Sequence, residues 1–153
     1  MNGDDKAPEA AGQEDGPGIG LVLVTHGAVG AALLAALEHI VGDQDNVVTI
    51  SIEPDEDMEA RRADILEAIA GVGTGQGVIV MTDMFGGTPS NLALSAMGLD
   101  SVEVIAGVNL PMLIKFASVR DTAPLEDAVI QVQEAGRKYI NVASSFLNPP
   151  DDE

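Results

Sequence analysis

The sequence predicts an α/β fold: an open, mainly parallel four-stranded sheet with helices on both faces. Two observations carry this prediction. Short apolar runs alternate along the chain with longer segments rich in helix formers, and the connections between them are short. This alternation is typical of a parallel sheet covered by helices. With 153 residues, 46% of them hydrophobic, the chain is long enough for one domain with a proper core and too short for two comfortable ones.

Each predicted strand is a short apolar or β-branched run, as expected for strands buried on both faces. The four runs are 19–25, 47–52, 77–82 and 102–106. The predicted helices are 28–41, 58–70, 88–97, a segment beginning at 111–117, and 125–135. The first helix is rich in Ala and Leu and stops at Gly42, and Pro89 suits a first helical turn.

The charge is unevenly distributed, and its distribution marks the domain. Residues 1–17 are acidic and rich in Gly and Pro, so we expect a disordered tail that cannot bury enough apolar surface to order itself. A short acidic C-terminal tail is expected at 148–153. The domain is therefore predicted at 18–147, with no second domain after it.

The composition excludes several classes of function. There are 25 acidic residues against 7 basic ones, a formal charge of −18, which disfavours binding to nucleic acid or to an anionic membrane. Cysteine is absent, which removes disulfides and thiolate chemistry. No apolar run reaches the roughly 18 residues of a membrane helix, and the N-terminus is unlike a signal peptide. We expect a cytoplasmic protein without membrane insertion.

His26 is the most informative residue, because it ends the first strand and is followed by Gly27 and a helix. In a parallel sheet, ligand sites lie beyond the carboxyl ends of the strands. A histidine there can act as a nucleophile, a general base or a metal ligand, or it can simply pack in the loop. His39 lies in the middle of a predicted helix and is interpreted as an ordinary surface residue. Two histidines make a poor zinc site, so no metal is expected.

Asp83 ends the third strand, where a carboxylate can be a turn or cap residue. If the first and third strands are neighbours, however, His26 and Asp83 lie at the same sheet edge. A carboxylate that accepts the Nδ1–H bond would leave Nε2 unprotonated and facing outward as a nucleophile.

The segment after Asp83 has the composition of an anion-binding turn. Gly86 and Gly87 precede a helix start, which lets the backbone approach a ligand closely, and the hydroxyls of Thr88 and Ser90 add donors. The alternative is a glycine turn with a threonine cap. No nucleotide-binding pattern is present, and we expect no cofactor.

Three motifs together resemble a known family. They are Thr25-His26-Gly27, the run from Asp83 to Asn91 (DMFGGTPSN), and the run 104–113 (VIAGVNLPML), which contains Asn109. In order and spacing they closely resemble the enzyme IIA domain of the mannose family of the bacterial sugar phosphotransferase system. The resemblance covers essentially all of residues 19–147.

The resemblance implies a phosphorelay. His26 would take a phosphoryl group on Nε2 from the phosphocarrier protein HPr and pass it to an enzyme IIB protein for sugar uptake. Asp83 would hold Nδ1–H, and Gly86, Gly87, Thr88 and Ser90 would surround the phosphoryl oxygens. Thr25 and Asn109 would be supporting residues. An acidic surface suits a donor protein with a basic face.

Other functions remain open at this point. A stand-alone domain can be a transporter component or a regulatory phosphoprotein whose state controls a partner. It can also be a binding module without onward transfer. A receiver-like domain fits poorly, because no acid pair follows the first strand.

The resemblance also implies a homodimer. Residues 138–143 alternate weakly and are a candidate for more helix or for a short fifth strand. As an antiparallel edge strand exchanged between two copies, this segment would cover an exposed sheet edge in each of them.

Overall fold

The computed structural model describes residues 18–147, and both predicted tails lie outside the described residues. This part of the chain forms four strands and six helices, which alternate until three helices follow the last strand. The strands are β1 (Gly20–His26), β2 (Val47–Ile52), β3 (Val78–Thr82) and β4 (Val102–Ala106). The helices are α1 (Val29–Val41), α2 (Met58–Val72), α3 (Thr88–Leu94), α4 (Leu110–Val119), α5 (Leu125–Lys138) and α6 (Ala143–Leu147).

The strands form one open, all-parallel sheet in the order β2-β1-β3-β4. In this register Val24 of β1 lies between Ile50 of β2 and Thr82 of β3. The two central strands are almost completely buried, which explains why their sequences are apolar without alternation. The predicted α/β fold is confirmed.

Two apolar layers cover the sheet, one on each face. On one face Val22, Val24 and Val80 pack against α2 and α3 through residues such as Ile65 and Leu92. On the other face the neighbouring strand residues pack against α1, α4 and α5. Successive residues of each buried strand therefore pack into two separate hydrophobic cores, one on each face of the sheet. None of the described helices is long and apolar enough to cross a membrane.

A buried arginine holds the amino ends of the strands together. Arg120, at the end of α4, is 6% exposed and donates to the backbone oxygens of Ile19 and Asn46 and to the side chain of Gln44. Its guanidinium lies 4.9 Å from the ring centre of Phe116. This end of the sheet is opposite the carboxyl ends, so Arg120 is a structural residue.

The structure corrects the prediction at two places. Residues 138–143 do not form a fifth strand: α5 runs on to Lys138 and α6 begins at Ala143, and no described strand pairs with the free edge of β4. A strand needs a neighbouring edge, which this segment does not meet within one copy of the chain. Helix α3 ends at Leu94, because the next residues bond to the third residue before them instead of the fourth.

Candidate active site

The candidate site lies at the point in the sheet where the order of strand addition reverses. From β1 the chain passes to β2 on one side and then to β3 on the other. The crevice that this reversal leaves at the carboxyl ends of β1 and β3 is the usual ligand site of open α/β sheets. His26 is the last residue of β1, and Asp83 directly follows β3.

The structure brings His26 and Asp83 into direct contact. The Nδ1 atom of His26 lies 2.9 Å from Oδ2 of Asp83, and the backbone N–H of His26 donates to the same oxygen at 3.0 Å. Oδ1 of Asp83 accepts from the backbone N–H of Met84. Since an ionised carboxylate only accepts hydrogen bonds, Nδ1 carries the proton and Nε2 has a free lone pair. The imidazole is about half exposed, so Nε2 is accessible.

The electrostatics keep Asp83 ionised. Partial burial alone would raise the pKa of Asp83, but the hydrogen bonds from the His26 backbone and ring outweigh it, with help from the imidazole's charge when protonated. The pKa of Asp83 therefore lies below its usual value. An ionised carboxylate at this place stabilises positive charge that develops on the imidazole.

Gly87 packs directly against the ring of His26. A Cβ atom at this position would lie 2.9 Å from Cε1 of His26, closer than real Cβ atoms come to their neighbours, and 3.1 Å from Nε2. Only glycine therefore lets the backbone come this near to Nε2. The preceding Gly86 has a φ of +93°, a conformation that favours glycine. Gly86 is therefore required by the conformation of the turn, and Gly87 by the close approach of the backbone to His26.

Thr88 and Ser90 occupy different surroundings. Thr88 is exposed and lines the same cleft as His26, a space of about 620 Å³. Ser90 is fully buried, and its hydroxyl bonds to the loop itself, donating to the Gly87 oxygen and accepting from the Gly86 N–H.

Thr25 supports the other side of His26. Its buried hydroxyl accepts a hydrogen bond of 2.7 Å from the N–H of Gly30, in the first turn of α1. Since α1 has no capping side chain at Ala28, this bond replaces the usual cap. The turn between β1 and α1, which carries His26, is thereby fixed at both ends.

Asn109 is not part of the His26 group. Its side chain accepts from the N–H of Met112 and donates to the oxygen of Gly136, which joins the start of α4 to α5. It lines another cleft, of about 460 Å³, beside β4 and α5. The family resemblance had made Asn109 a supporting residue, and its observed contacts are those that join α4 to α5.

An acidic wall faces His26, and the sequence prediction missed it. Glu53, Asp55 and Glu56, from the loop after β2, line the cleft beside the imidazole. Their sequence position was the available signal, because the end of β2 lies at the same edge as the end of β1. No group of three or more potential metal-ligating side chains occurs within residues 18–147.

Fold and site together define a class of protein: an open α/β domain with an exposed, carboxylate-paired histidine at the switch point of a parallel sheet. Residues 20–133 match the EIIA-man family, described as the PTS system fructose IIA component, where PTS stands for phosphotransferase system. The chain belongs to this family and is a PTS EIIA component. The family resemblance found in the sequence is confirmed.

Individual relatives agree. The mannose-specific EIIAB component of Escherichia coli K12 is 35% identical over 124 residues, which are 80% of this chain. This chain spans only 38% of that protein's length. The fructose-specific EIIA component of Bacillus subtilis is 27% identical, and the match covers 84% of this chain and 89% of the relative.

Solved structures show the same fold. The PTS IIA protein associated with the fucose utilization operon of Streptococcus pneumoniae is 29% identical, with a TM-score of 0.73 over 86% of this chain and 97% of that one. EIIA from Streptococcus agalactiae is 26% identical, with a TM-score of 0.75 over 83% of this chain and 98% of that one.

Proposed function

We propose that this EIIA component accepts a phosphoryl group from HPr on Nε2 of His26 and passes it to an EIIB protein for sugar uptake. The observation that carries the proposal is the 2.9 Å contact between Nδ1 of His26 and Asp83, which leaves Nε2 as the free, exposed nitrogen. The choice of HPr as donor and EIIB as acceptor rests on membership of the EIIA-man family.

The chemistry needs only groups that this chain has. The Nε2 lone pair attacks phosphorus while the bond from phosphorus to the donor's leaving atom breaks, and that atom keeps the bonding pair. The ring becomes more positive as the bond forms, and the Asp83 carboxylate stabilises this charge while Nδ1 keeps its proton. Phosphoryl transfer of this kind depends mainly on positioning and charge stabilisation. Onward transfer is the same step in reverse, with EIIB as the acceptor.

The loop after Asp83 supplies the surroundings of the phosphoryl group. The backbone at Gly87 lies beside Nε2, and Gly86 and Thr88 flank it in the same turn. Backbone N–H groups and the Thr88 hydroxyl are suitable donors to phosphoryl oxygens. The acidic wall of Glu53, Asp55 and Glu56 would attract a partner that presents basic side chains.

A histidine exchange tests the acceptor. With phosphorylated HPr as donor, His26→Ala is expected to abolish labelling of the chain, because no other described group has the same free nitrogen beside a carboxylate. His39→Ala is the matched control: His39 is exposed in α1 and should be labelled like the native protein. Equal labelling of both variants, or loss only in His39→Ala, would reject His26 as the acceptor.

Adding an EIIB protein tests the second half of the relay. Loss of label from phospho-His26 to EIIB is expected for a transport component. Label that stays on His26 in the presence of cognate EIIB would instead support a regulatory phosphoprotein or a binding module.

We also propose that the chain forms a homodimer through its C-terminal segment, residues 139–147. Five large apolar side chains in this segment are 58–79% exposed: Tyr139, Ile140, Val142, Phe146 and Leu147. The segment follows α5 directly and starts beside the cleft at β4, which Ile140 lines. An apolar cover from a second copy would bury these side chains and protect the free edge of β4.

A further inference from the structure

Ser90 has a completely buried hydroxyl in the third position of α3. Its Oγ donates to the backbone oxygen of Gly87 and accepts from the N–H of Gly86, both at 3.1 Å. The hydroxyl hydrogen is therefore already used within the loop. This differs from the role of a phosphoryl ligand that the sequence motif suggested for Ser90.

The loop that Ser90 holds needs an external restraint. Gly86 and Gly87 are adjacent glycines, and glycine has more backbone freedom than any other residue. Gly86 is exposed, so little packing fixes it. Through these two bonds Ser90 connects Gly86 to Gly87, which is the N-cap residue of α3, and so closes the turn.

The position of this turn matters because of what lies against it. The Gly87 backbone passes so close to the Cε1–Nε2 edge of the His26 ring that a Cβ atom on Gly87 would lie 2.9 Å from Cε1. Asp83 holds the opposite edge of the ring at Nδ1. The imidazole is therefore restrained from two sides, by a carboxylate and by a glycine backbone that Ser90 keeps in place.

We propose that Ser90 is a positioning residue for His26: its buried hydroxyl fixes Gly87 against the imidazole and so fixes the direction of Nε2. The link to phosphoryl transfer rests on the proposed function, whereas the link to the ring's position does not. Ser90 acts through Gly87 and does not touch the reacting atoms.

The Ser90→Ala variant should fold. Gly86 is exposed and its N–H can bond to water, and the Gly87 oxygen still accepts from the N–H of Asn91. No buried polar group is left unpaired. The Asp83 bond to Nδ1 is untouched, so the variant removes one restraint and keeps the other.

Turnover of the full chain between phosphorylated HPr as donor and excess EIIB as acceptor measures the consequence, because without an acceptor each chain is labelled only once. Ser90→Ala is expected to lower kcat about tenfold, since a small displacement of a reacting atom is costly. KM should stay unchanged, because a buried hydroxyl does not contact the donor protein. Ser95→Ala is the matched control: the exposed Ser95 hydroxyl donates to its own helix, at the Leu92 oxygen, and its loss should leave kcat as in the native protein. Native kcat in Ser90→Ala would overturn the proposal.

A second variant separates the hydrogen bonds from the volume of the side chain. Ser90→Cys nearly keeps the volume but bonds weakly, so its kcat should fall toward that of Ser90→Ala. A Cys variant with native kcat would show that filling the space is sufficient, and would overturn the role of the hydroxyl.

Ring nitrogen NMR of ¹⁵N-histidine-labelled protein tests the positioning without any donor. In Ser90→Ala the His26 ring signals should show increased motion, while Nδ1 stays protonated and the His39 signals do not change. Unchanged His26 ring dynamics would overturn the proposal, whatever the rate. If HPr fails to phosphorylate even the native chain, the proposed function fails, and the ring dynamics still decide the role of Ser90.

Discussion

The two oxygens of Asp83 make three hydrogen bonds, and all three donors are fixed. Oδ2 accepts from both the backbone and the ring of His26, and Oδ1 accepts from the N–H of Met84. An amide cannot reproduce this set. If its oxygen takes the place of Oδ2, its NH₂ group faces the N–H of Met84, donor against donor. Asp83 is therefore specified as a carboxylate by geometry as well as by charge.

Asp83→Asn should fold but accept a phosphoryl group roughly 100-fold more slowly, because an amide does not stabilise the charge that develops on the imidazole. Rapid-quench measurement of labelling from phosphorylated HPr gives the rate. Asp127→Asn, an exposed change of the same kind in α5, should behave as the native protein. A native rate in Asp83→Asn would rule out the proposed role of the carboxylate.

The same substitution has a pH signature in stability. Since the pKa of Asp83 is lower in the folded chain than in the unfolded chain, its ionised form stabilises the fold. This stabilisation is present above the unfolded value of about 3.9 and is lost as the pH falls toward the folded pKa. The difference in free energy of unfolding between the native protein and Asp83→Asn should therefore shrink below about pH 4. A difference that grows on acidification would contradict the assignment.

At the scale of elements, Arg120 connects α4 to the first two strands at the end of the sheet opposite the site. Burial lowers the pKa of its guanidinium, and the nearby Asp121 and Asp45 offset part of that shift. Its three acceptors lie in two segments, Ile19 before β1 and Gln44 and Asn46 in the loop before β2, and the planar fork of the guanidinium reaches all of them at once.

Arg120→Lys should reduce the free energy of unfolding by about 2 kcal/mol, since one ammonium group cannot reach all three acceptors and the buried Ile19 oxygen would lose its side-chain donor. Urea denaturation followed by far-UV circular dichroism suits a chain without tryptophan. The exposed Arg62→Lys is the control and should change the stability by less than about 0.5 kcal/mol. Equal stability of the two variants would show that the hydrogen bonds of Arg120 do not contribute to the free energy of unfolding.

Strands and helices with a clear sequence pattern were predictable, whereas most side-chain contacts between residues distant in sequence were not. The apolar runs at Val47–Ile52 and Val102–Ala106 coincide with β2 and β4 to the residue. The proximity of His26 and Asp83 was predicted on the condition that the first and third strands are neighbours, and the observed strand order meets that condition. The Arg120 clamp and the hydrogen bonds of Ser90 have no sequence period, so only the assembled fold reveals them. Residues 138–143 show only a weak alternation of apolar and polar residues, and the first of them, Lys138, belongs to helix α5.

On the scale of the whole molecule, charge and apolar surface oppose each other. Two copies with a formal charge of −18 each repel one another. At physiological ionic strength this repulsion is screened over about 8 Å, whereas burial of the exposed residues 139–147 is not weakened by salt. Association through this segment should therefore prevail in physiological buffer.

Sedimentation equilibrium at physiological salt should give a mass near twice 15.7 kDa. Deleting residues 139–153 should yield a folded monomer, because Lys138 ends α5 and none of the described residues 139–147 belongs to the core. Asp127→Asn, with the segment intact, should remain a dimer. A monomer mass for the native chain at micromolar concentration would reject the proposed dimer.

The contact between His26 and Asp83 joins residues 57 positions apart, through two strands that are neighbours in space but not in sequence. A nascent chain that has assembled only β1, α1 and β2 already contains the histidine, but the carboxylate that orients it arrives only when β3 pairs with β1. Because non-local pairing costs loop-closure entropy before it is rewarded by contacts, we expect β3 to pair with β1 after the local helices form. The oriented imidazole is thus a property of the completed sheet, and immature chains do not possess it.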